Sequence, residues 1–165
     1  MRNLFIALLC LAAAPACAEG FAIRDLTAVA SEAGTALGIG FVSRAAPDRL
    51  TLMCTTCEGA PMVDLLLGRQ ADGTEERVRA GQTSMAQLEA LCRERRTDCR
   101  LSGLSVAPAV GWVTGYGVGS SAGATAIILR GGDLLTIRVL AGSAEAAARP
   151  IEILSRTVAA RIVGR

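Results

Sequence analysis

The stretch Ala124–Ala141, ATAIILRGGDLLTIRVLA, predicts two antiparallel strands joined by a turn at Gly131-Gly132. Two consecutive glycines accept the positive φ angles that a two-residue hairpin turn requires. The resulting register pairs Arg130 with Asp133, Ile128 with Leu135, Ala126 with Ile137 and Ala124 with Val139. One face of the hairpin is therefore apolar, and another element must cover that face.

The C-terminal residues predict the helix that supplies this cover. Apolar side chains recur there at spacings of three and four residues: Ile151, Leu154, Val158 and Ile162. Such spacing is typical of a helix that is buried along one stripe. Pro150 suits a first helical turn, so we expect the helix to begin there. A separate helical turn over Ser143–Ala148 would end at Arg149, because a residue before proline disfavours the helical conformation.

A second helix is predicted in the middle of the chain, over Thr83–Arg95. Ser84 and Gln87 fit a capping box, in which each side chain bonds to the backbone of the other residue. Four side chains form one stripe along this helix: Met85, Leu88, Leu91 and Cys92. We expect this stripe to pack beside the sheet.

Shorter elements complete the predicted fold. The patterns favour a helix over Leu26–Ala33 and strands over Gly38–Val42, Arg49–Cys54, Met62–Gln70 and Thr74–Arg79. The last two strands would form a hairpin around Asp72-Gly73, with charged residues facing water: Glu75, Arg77 and Arg79. A helix over Pro61–Arg69 is the alternative. We therefore expect an α+β fold: a mainly antiparallel, meander-like sheet covered on one face by a C-terminal helix, with a second helix in the middle of the chain.

The N-terminal residues have the pattern of an export signal. Arg2 gives a positive start, Leu4–Ala14 is an apolar run, and Ala16-Cys17-Ala18 is a small-residue cleavage site. We expect a cleaved signal peptide at 1–18 and a single globular domain at 19–165. Lipidation at Cys17 is the alternative. No later segment has the pattern of a membrane span, so we expect a periplasmic or secreted protein without an integral membrane segment.

The composition argues against several kinds of chemistry. The chain contains no histidine, and all of its 17 basic residues are arginines. This excludes Ser-His-Asp and Cys-His catalysis, histidine metal sites, Schiff-base lysines and P-loop lysines. The one concentration of arginines, at Arg93–Arg100, is interleaved with Glu94 and Asp98. That pattern favours a solvated helix end over a surface that binds nucleic acid.

Four cysteines follow the predicted cleavage site: Cys54, Cys57, Cys92 and Cys99. An even number in an exported domain favours disulfides. Three pairings are possible, and we favour the local one, in which Cys54 bonds to Cys57 and Cys92 to Cys99, because each pair is close in sequence. The Cys92–Cys99 bridge would hold the end of the middle helix to the following strand.

Cys54 and Cys57 also form the one motif that has a catalytic interpretation. A CxxC pair after a strand can act as a thiol–disulfide oxidoreductase when its first sulfur lies at a helix N-terminus. Met53 beside the two thiols gives a further alternative, a Cu(I) carrier, because sulfur ligands suit Cu(I). A structural disulfide in a tight turn is the preferred interpretation.

The expected function is that of an exported, non-catalytic, disulfide-stabilised accessory or binding domain of a bacterial cell envelope. Its partner would be another, unknown envelope protein, and we expect neither a cofactor nor nucleic acid. The expectation depends on the export signal, the even number of cysteines and the missing catalytic residue types. The oxidoreductase and the Cu(I) carrier are the alternatives.

Overall fold

The structure is a computed structural model, and it describes residues 20–165. The predicted signal peptide at 1–18 lies outside the described residues. Within them, the strands are β1 (Val42–Ala45), β2 (Arg49–Met53), β3 (Met62–Arg69), β4 (Arg100–Gly103), β5 (Val110–Val118), β6 (Ser121–Arg130) and β7 (Asp133–Ala141). The helices are α1 (Ala30–Leu37), α2 (Thr74–Arg79), α3 (Met85–Arg95), α4 (Ala144–Leu154) and α5 (Ala160–Val163). A 3-10 turn at Leu26–Val29 precedes α1, and a π-helical turn at Ser155–Ala159 joins α4 to α5.

The strands form one antiparallel sheet in the order β1-β2-β3-β7-β6-β5-β4. It consists of two meanders, β1 to β3 and β4 to β7, which meet where β3 pairs with β7. The predicted hairpin is β6–β7, and its register is the expected one, with Arg130 opposite Asp133 and Ile128 opposite Leu135. The predicted α+β fold is therefore confirmed.

One face of the sheet, the core face, is buried beneath the C-terminal helical segment. Hairpin side chains on this face are fully buried, including Ala126, Ile128, Leu135 and Ile137. The predicted stripe of the helical segment is buried as well: Ile151, Leu154, Val158 and Ile162. Because α4 contacts both β6 and β7, the predicted cover is confirmed. We call the opposite side of the sheet the open face.

The C-terminal helix begins earlier than predicted. α4 starts at Ala144, and the Ser143 hydroxyl caps it by accepting the N–H of Ala146 at 3.2 Å. Pro150 lies inside α4, so the predicted break at Arg149 is wrong. A proline removes one backbone hydrogen bond from a helix. Here Pro150 is buried, and the burial of its ring offsets the loss of that bond.

The predicted strand over Gly38–Val42 is wrong, because this segment is a loop that ends where β1 begins. Gly38 and Gly40 both have a φ angle of 101°, in the positive range that strands do not use. The helix predicted from Leu26 is present as the 3-10 turn followed by α1, which continues to Leu37. The loop therefore connects α1 to the first edge of the sheet.

The predicted strand over Thr74–Arg79 is also wrong, because this segment is α2. The Asp72 carboxylate accepts the first N–H of the helix at 3.0 Å. Glu75, expected to face water, is only 5% exposed. Its carboxylate accepts the Gly132 N–H at 3.1 Å and an N–H of Arg79 at 2.8 Å. α2 thus binds the turn of the central hairpin.

Arg130 and Asp133 lie opposite each other at this turn but bind different partners. The buried Asp133 carboxylate accepts a hydrogen bond from Arg69 at 2.8 Å and forms an ion pair with Arg24 at 3.0 Å. Arg130 donates to the backbone carbonyl of Val163 at the end of α5. The hairpin turn therefore ties both the N-terminal segment and the C-terminal helix to the sheet.

Replacing Glu75 with glutamine should destabilise the fold, and more so at neutral pH than in acid. Burial raises the pKa of this carboxyl, but hydrogen bonds from Arg79 and from the Gly132 and Gly131 amides outweigh burial and hold its pKa below the ordinary value. A lowered pKa adds stability above the pKa of an unfolded glutamate, and this stability is lost as the pH falls through the folded-state pKa.

We expect Glu75→Gln to lower the free energy of unfolding by about 1–3 kcal/mol at neutral pH. Urea denaturation in neutral and in acidic buffer measures the change in the free energy of unfolding at each pH. The control is Glu76→Gln at the exposed neighbour, which should change stability by less than about 0.5 kcal/mol. Equal losses in the two variants would contradict the role of Glu75.

Candidate functional site

The structure joins Cys54 to Cys57 and Cys92 to Cys99, which is the pairing favoured from the sequence. The first bridge closes the loop between β2 and β3, with 5.4 Å between its Cα atoms. Cys54 directly follows β2, and its N–H donates to the Pro61 carbonyl at 3.1 Å. The bridge therefore lies in a turn between two strands and not at the start of a helix.

Two glycines allow the chain to pack tightly around this loop. Gly40 has a φ of 101°, and a Cβ atom there would lie 2.9 Å from the Cys54 sulfur. Gly59 has a φ of 71°, and a Cβ atom there would lie 2.7 Å from that of Ala146 in α4. The Gly59 carbonyl also accepts the Gly142 N–H at 2.8 Å. The loop is thus held between the segment before β1 and the start of α4.

A cleft of about 190 Å³ lies beside the disulfide, between this loop, α4 and the end of α1. Its lining combines polar groups with apolar side chains, which are Leu37, Phe41, Pro61, Pro150 and Ile153. Exposed charged side chains stand around it: Glu58, Glu145 and Arg149. Half-buried Cys57 forms part of the wall. The cleft is smaller than the roughly 300–1,000 Å³ typical of small-molecule sites.

The burial of Cys54 affects what the disulfide can do chemically. A thiolate that attacked Cys57 from the cleft would release Cys54 as a second thiolate. Cys54 is 1% exposed, and its sulfur lies 3.7 Å from the Thr56 hydroxyl oxygen. A thiolate in such surroundings loses most of its hydration, so it is a poor leaving group. This arrangement favours a structural bridge.

Large apolar side chains are exposed next to the disulfide loop. Ile39 is 103% exposed and Val42 in β1 is 72% exposed, whereas Met53 in β2 and Met62 in β3 are 47% and 37% exposed. Val42 pairs with Met53 and Met53 with Met62, so three adjacent strands present these side chains on the open face. We call Ile39, Val42, Met53 and Met62 the apolar corner.

The Cu(I) alternative requires the Met53 sulfur to converge with the two cysteine sulfurs, and it does not. Its side chain projects from the open face, because Leu52 before it is buried on the core face and successive strand residues alternate. Cys54, the next residue, is buried and bonded to Cys57. The three sulfur ligands are therefore not arranged around one point.

α3 forms as predicted, with the capping box between Ser84 and Gln87. None of its residues is buried, and Leu91 of the expected stripe is 56% exposed. A groove of about 460 Å³ remains between this helix and the open face of β4 and β5. The Cys92–Cys99 bridge, with 6.0 Å between its Cα atoms, joins the helix to the start of β4. The position of α3 therefore depends strongly on this bridge.

Polar contacts anchor the loop that contains Cys99. The Asp98 carboxylate accepts the Gly117 N–H at 2.6 Å. Arg96 donates to the Gly117 carbonyl, and its guanidinium carbon lies 5.0 Å from the centre of the Tyr116 ring. The hydrogen bonds from the Gly117 amide and from Arg96 lower the pKa of Asp98. The loop is therefore fixed to β5, while α3 before it lies against β4 with no fully buried side chain.

No protein-family model, curated protein or solved structure matches the chain. In the part of the chain that the structure describes, no helix is long and apolar enough to cross a membrane. Sequence reasoning identified the four cysteines but missed the exposure of Ile39, Val42 and Met62. Ile39 lies between two glycines, and this pattern, which is typical of a loop, could have indicated that its side chain is exposed.

Breaking the Cys92–Cys99 bridge should release α3 and leave the central sheet folded. For a sequence separation of 7 residues, the chain-entropy model gives a loss of about 2–3 kcal/mol. We expect Cys92→Ser/Cys99→Ser to show fast hydrogen exchange in α3 and retained protection in β6 and β7. The matched variant Cys54→Ser/Cys57→Ser should keep α3 protected. Retained protection of α3 after loss of its own bridge would contradict this account.

Proposed function

We propose that this chain is an exported, non-catalytic, disulfide-stabilised accessory domain that binds another protein of the cell envelope through the apolar corner. The observation that carries this proposal is the exposure of large apolar side chains on three adjacent strands, Val42, Met53 and Met62, with Ile39 fully exposed on the loop before β1. Such a group has the composition of a contact surface for a second protein.

At this corner, Val42, Met53 and Met62 lie on three adjacent strands and form contiguous exposed apolar surface. Single exposed apolar residues are common on proteins, but contiguous patches mark interaction sites. Covering such surface stabilises a complex by about 25 cal/mol per Å² of apolar area. Gly38 and Gly40 hold Ile39 in solvent by their positive φ angles, where a partner can contact the whole side chain.

The disulfides support both the location and the binding role. Closed bridges persist in oxidising compartments, which agrees with the predicted export signal. The Cys54–Cys57 bridge also packs against Gly40, between Ile39 and Val42 in the chain. It therefore restrains the corner before a partner arrives, and a restrained surface loses less conformational entropy on binding.

A thiol–disulfide oxidoreductase is the second candidate, favoured by the position of Cys57 on the wall of the cleft. In that reaction a substrate thiolate attacks the Cys57 sulfur, forms a mixed disulfide and releases Cys54 as a thiolate, which takes up a proton. A second substrate thiolate then displaces Cys57, so the substrate leaves oxidised and the pair is reduced.

Trapping distinguishes this second candidate from the proposed function. In Cys54→Ala, the free Cys57 thiolate attacks a disulfide of a redox substrate and expels one substrate thiolate; without Cys54 to displace it, the mixed disulfide accumulates and is visible on non-reducing gels. Cys99→Ala is the control, because it frees half-buried Cys92 in the same manner. The proposed function predicts equal, low levels of adducts in both variants. A specific adduct in Cys54→Ala alone would establish the oxidoreductase.

A corner variant tests the binding function itself. We expect Ile39→Ser/Val42→Thr to reduce capture of the partner at least about tenfold, measured by crosslinking in intact cells and mass spectrometry. The control is Leu91→Ser/Val118→Thr, which removes two apolar side chains that are 56% and 41% exposed elsewhere. The control should capture the partner as the unaltered chain does. Equal capture by all three proteins would overturn the proposal.

A further inference from the structure

We infer that the outer edge of β1 binds an extended segment of the partner as an added antiparallel strand, with an acidic side chain of that segment facing Arg44. This inference rests on the proposed function, because it gives the chemistry of the partner at the apolar corner. It arises from three features of β1: a free backbone edge, the alternation of its side chains and unpaired positive charge.

β1 is the last strand on its side of the sheet and pairs with β2 alone. All of its residues, Val42–Ala45, are exposed, so its outer edge is uncovered among the described residues. An edge strand turns alternate N–H and C=O groups outward, where an extended chain can pair with them. β4, the opposite edge, lies against α3 and is bonded to it through Cys92–Cys99.

The side chains of β1 determine what an added strand must carry. Val42 and Arg44 project from the open face, whereas Ser43 and Ala45 project from the other face. Residues opposite each other in antiparallel strands share a face. The added strand therefore needs an apolar residue opposite Val42 and places another residue opposite Arg44, two positions earlier in its own sequence.

The charges beside the edge select an acidic residue for that position. Arg44 and Arg49 lie on the open face of β1 and β2, are exposed and form no ion pair within residues 20–165. Asp64 on the same face accepts the Thr51 hydroxyl at 2.6 Å. A second copy of this chain would add another β1, whose residues Val42–Ala45 include an arginine but no carboxylate to pair with Arg44. An acidic segment of a different protein fits better.

Short peptides test this inference without knowledge of the partner. The probe is the acetylated and amidated heptapeptide STETVTS, in which glutamate precedes valine by two positions as an antiparallel strand requires. Controls are STKTVTS, with the charge reversed, and STVTETS, with the order reversed. Chemical-shift changes in the folded protein measure affinity and location. We expect STETVTS to bind along β1 about fivefold more tightly than either control.

Charge exchange in the protein provides a matched comparison. Arg44→Glu should reverse the preference, so that STKTVTS binds more tightly than STETVTS. Arg138→Glu changes the net charge equally at an exposed site in β7 and should leave the preference unchanged. Methylation of alternate peptide nitrogens gives a further readout, because an added strand uses only every second N–H. Methylation of one alternate set of nitrogens should abolish binding, and methylation of the other set should not.

The inference is overturned by no binding at the solubility limit of the peptides, by equal affinity for all three peptides, or by binding that tolerates methylation of either alternate set of peptide nitrogens. These outcomes leave the proposed function intact if the corner variant still loses the partner. Concentration-dependent self-association through β1 in the absence of peptide would also overturn it, since the occupant would then be a second copy. Failure of the β1 inference can therefore be distinguished from failure of the proposed binding function.

Discussion

The contact between the apolar face of the β6–β7 hairpin and the C-terminal helical segment determines where the other elements can lie. Ile128 and Ile137 of the hairpin and Leu154 and Val158 of the helical segment are fully buried. Burial of four such side chains contributes roughly 6–12 kcal/mol before conformational entropy is subtracted. α1 packs against α4 on the same side, so these two helices cover the core face, whereas α3 lies beside β4 and β5 on the open face. Much of the open face consequently remains uncovered.

The two ends of the sheet are stabilised by different means. At the hairpin turn, the buried carboxylates of Glu75 and Asp133 bind backbone amides and arginines. At the opposite end, where Met62 of β3 pairs with Leu140 of β7, the Cys54–Cys57 bridge closes the chain. The covalent link restrains this end without covering its apolar side chains. That combination leaves a restrained surface free to bind another protein.

The hairpin could be predicted because its information is local: two glycines give the turn, and the alternation around them gives the register. α2 could not be predicted, since Asp72-Gly73 suits a hairpin turn as well as the start of a helix. The decisive contact, from Glu75 to Gly132, spans 57 residues. The local disulfide pairing was accessible from spacing. The apolar corner was not, because alternation gives the face of Met53 but not whether any element covers that face.

The most direct test of the structural role of Cys54–Cys57 is its reduction potential, measured by equilibration in redox buffers with quantification of the reduced pair by mass spectrometry. Because Cys54 is 1% exposed, its release as a thiolate is unfavourable. We expect a potential below about −300 mV, as in structural disulfides, and loss of amide protection in β1 and β2 on reduction. A potential between about −270 and −120 mV, the range of catalytic pairs, with the fold unchanged on reduction would contradict it.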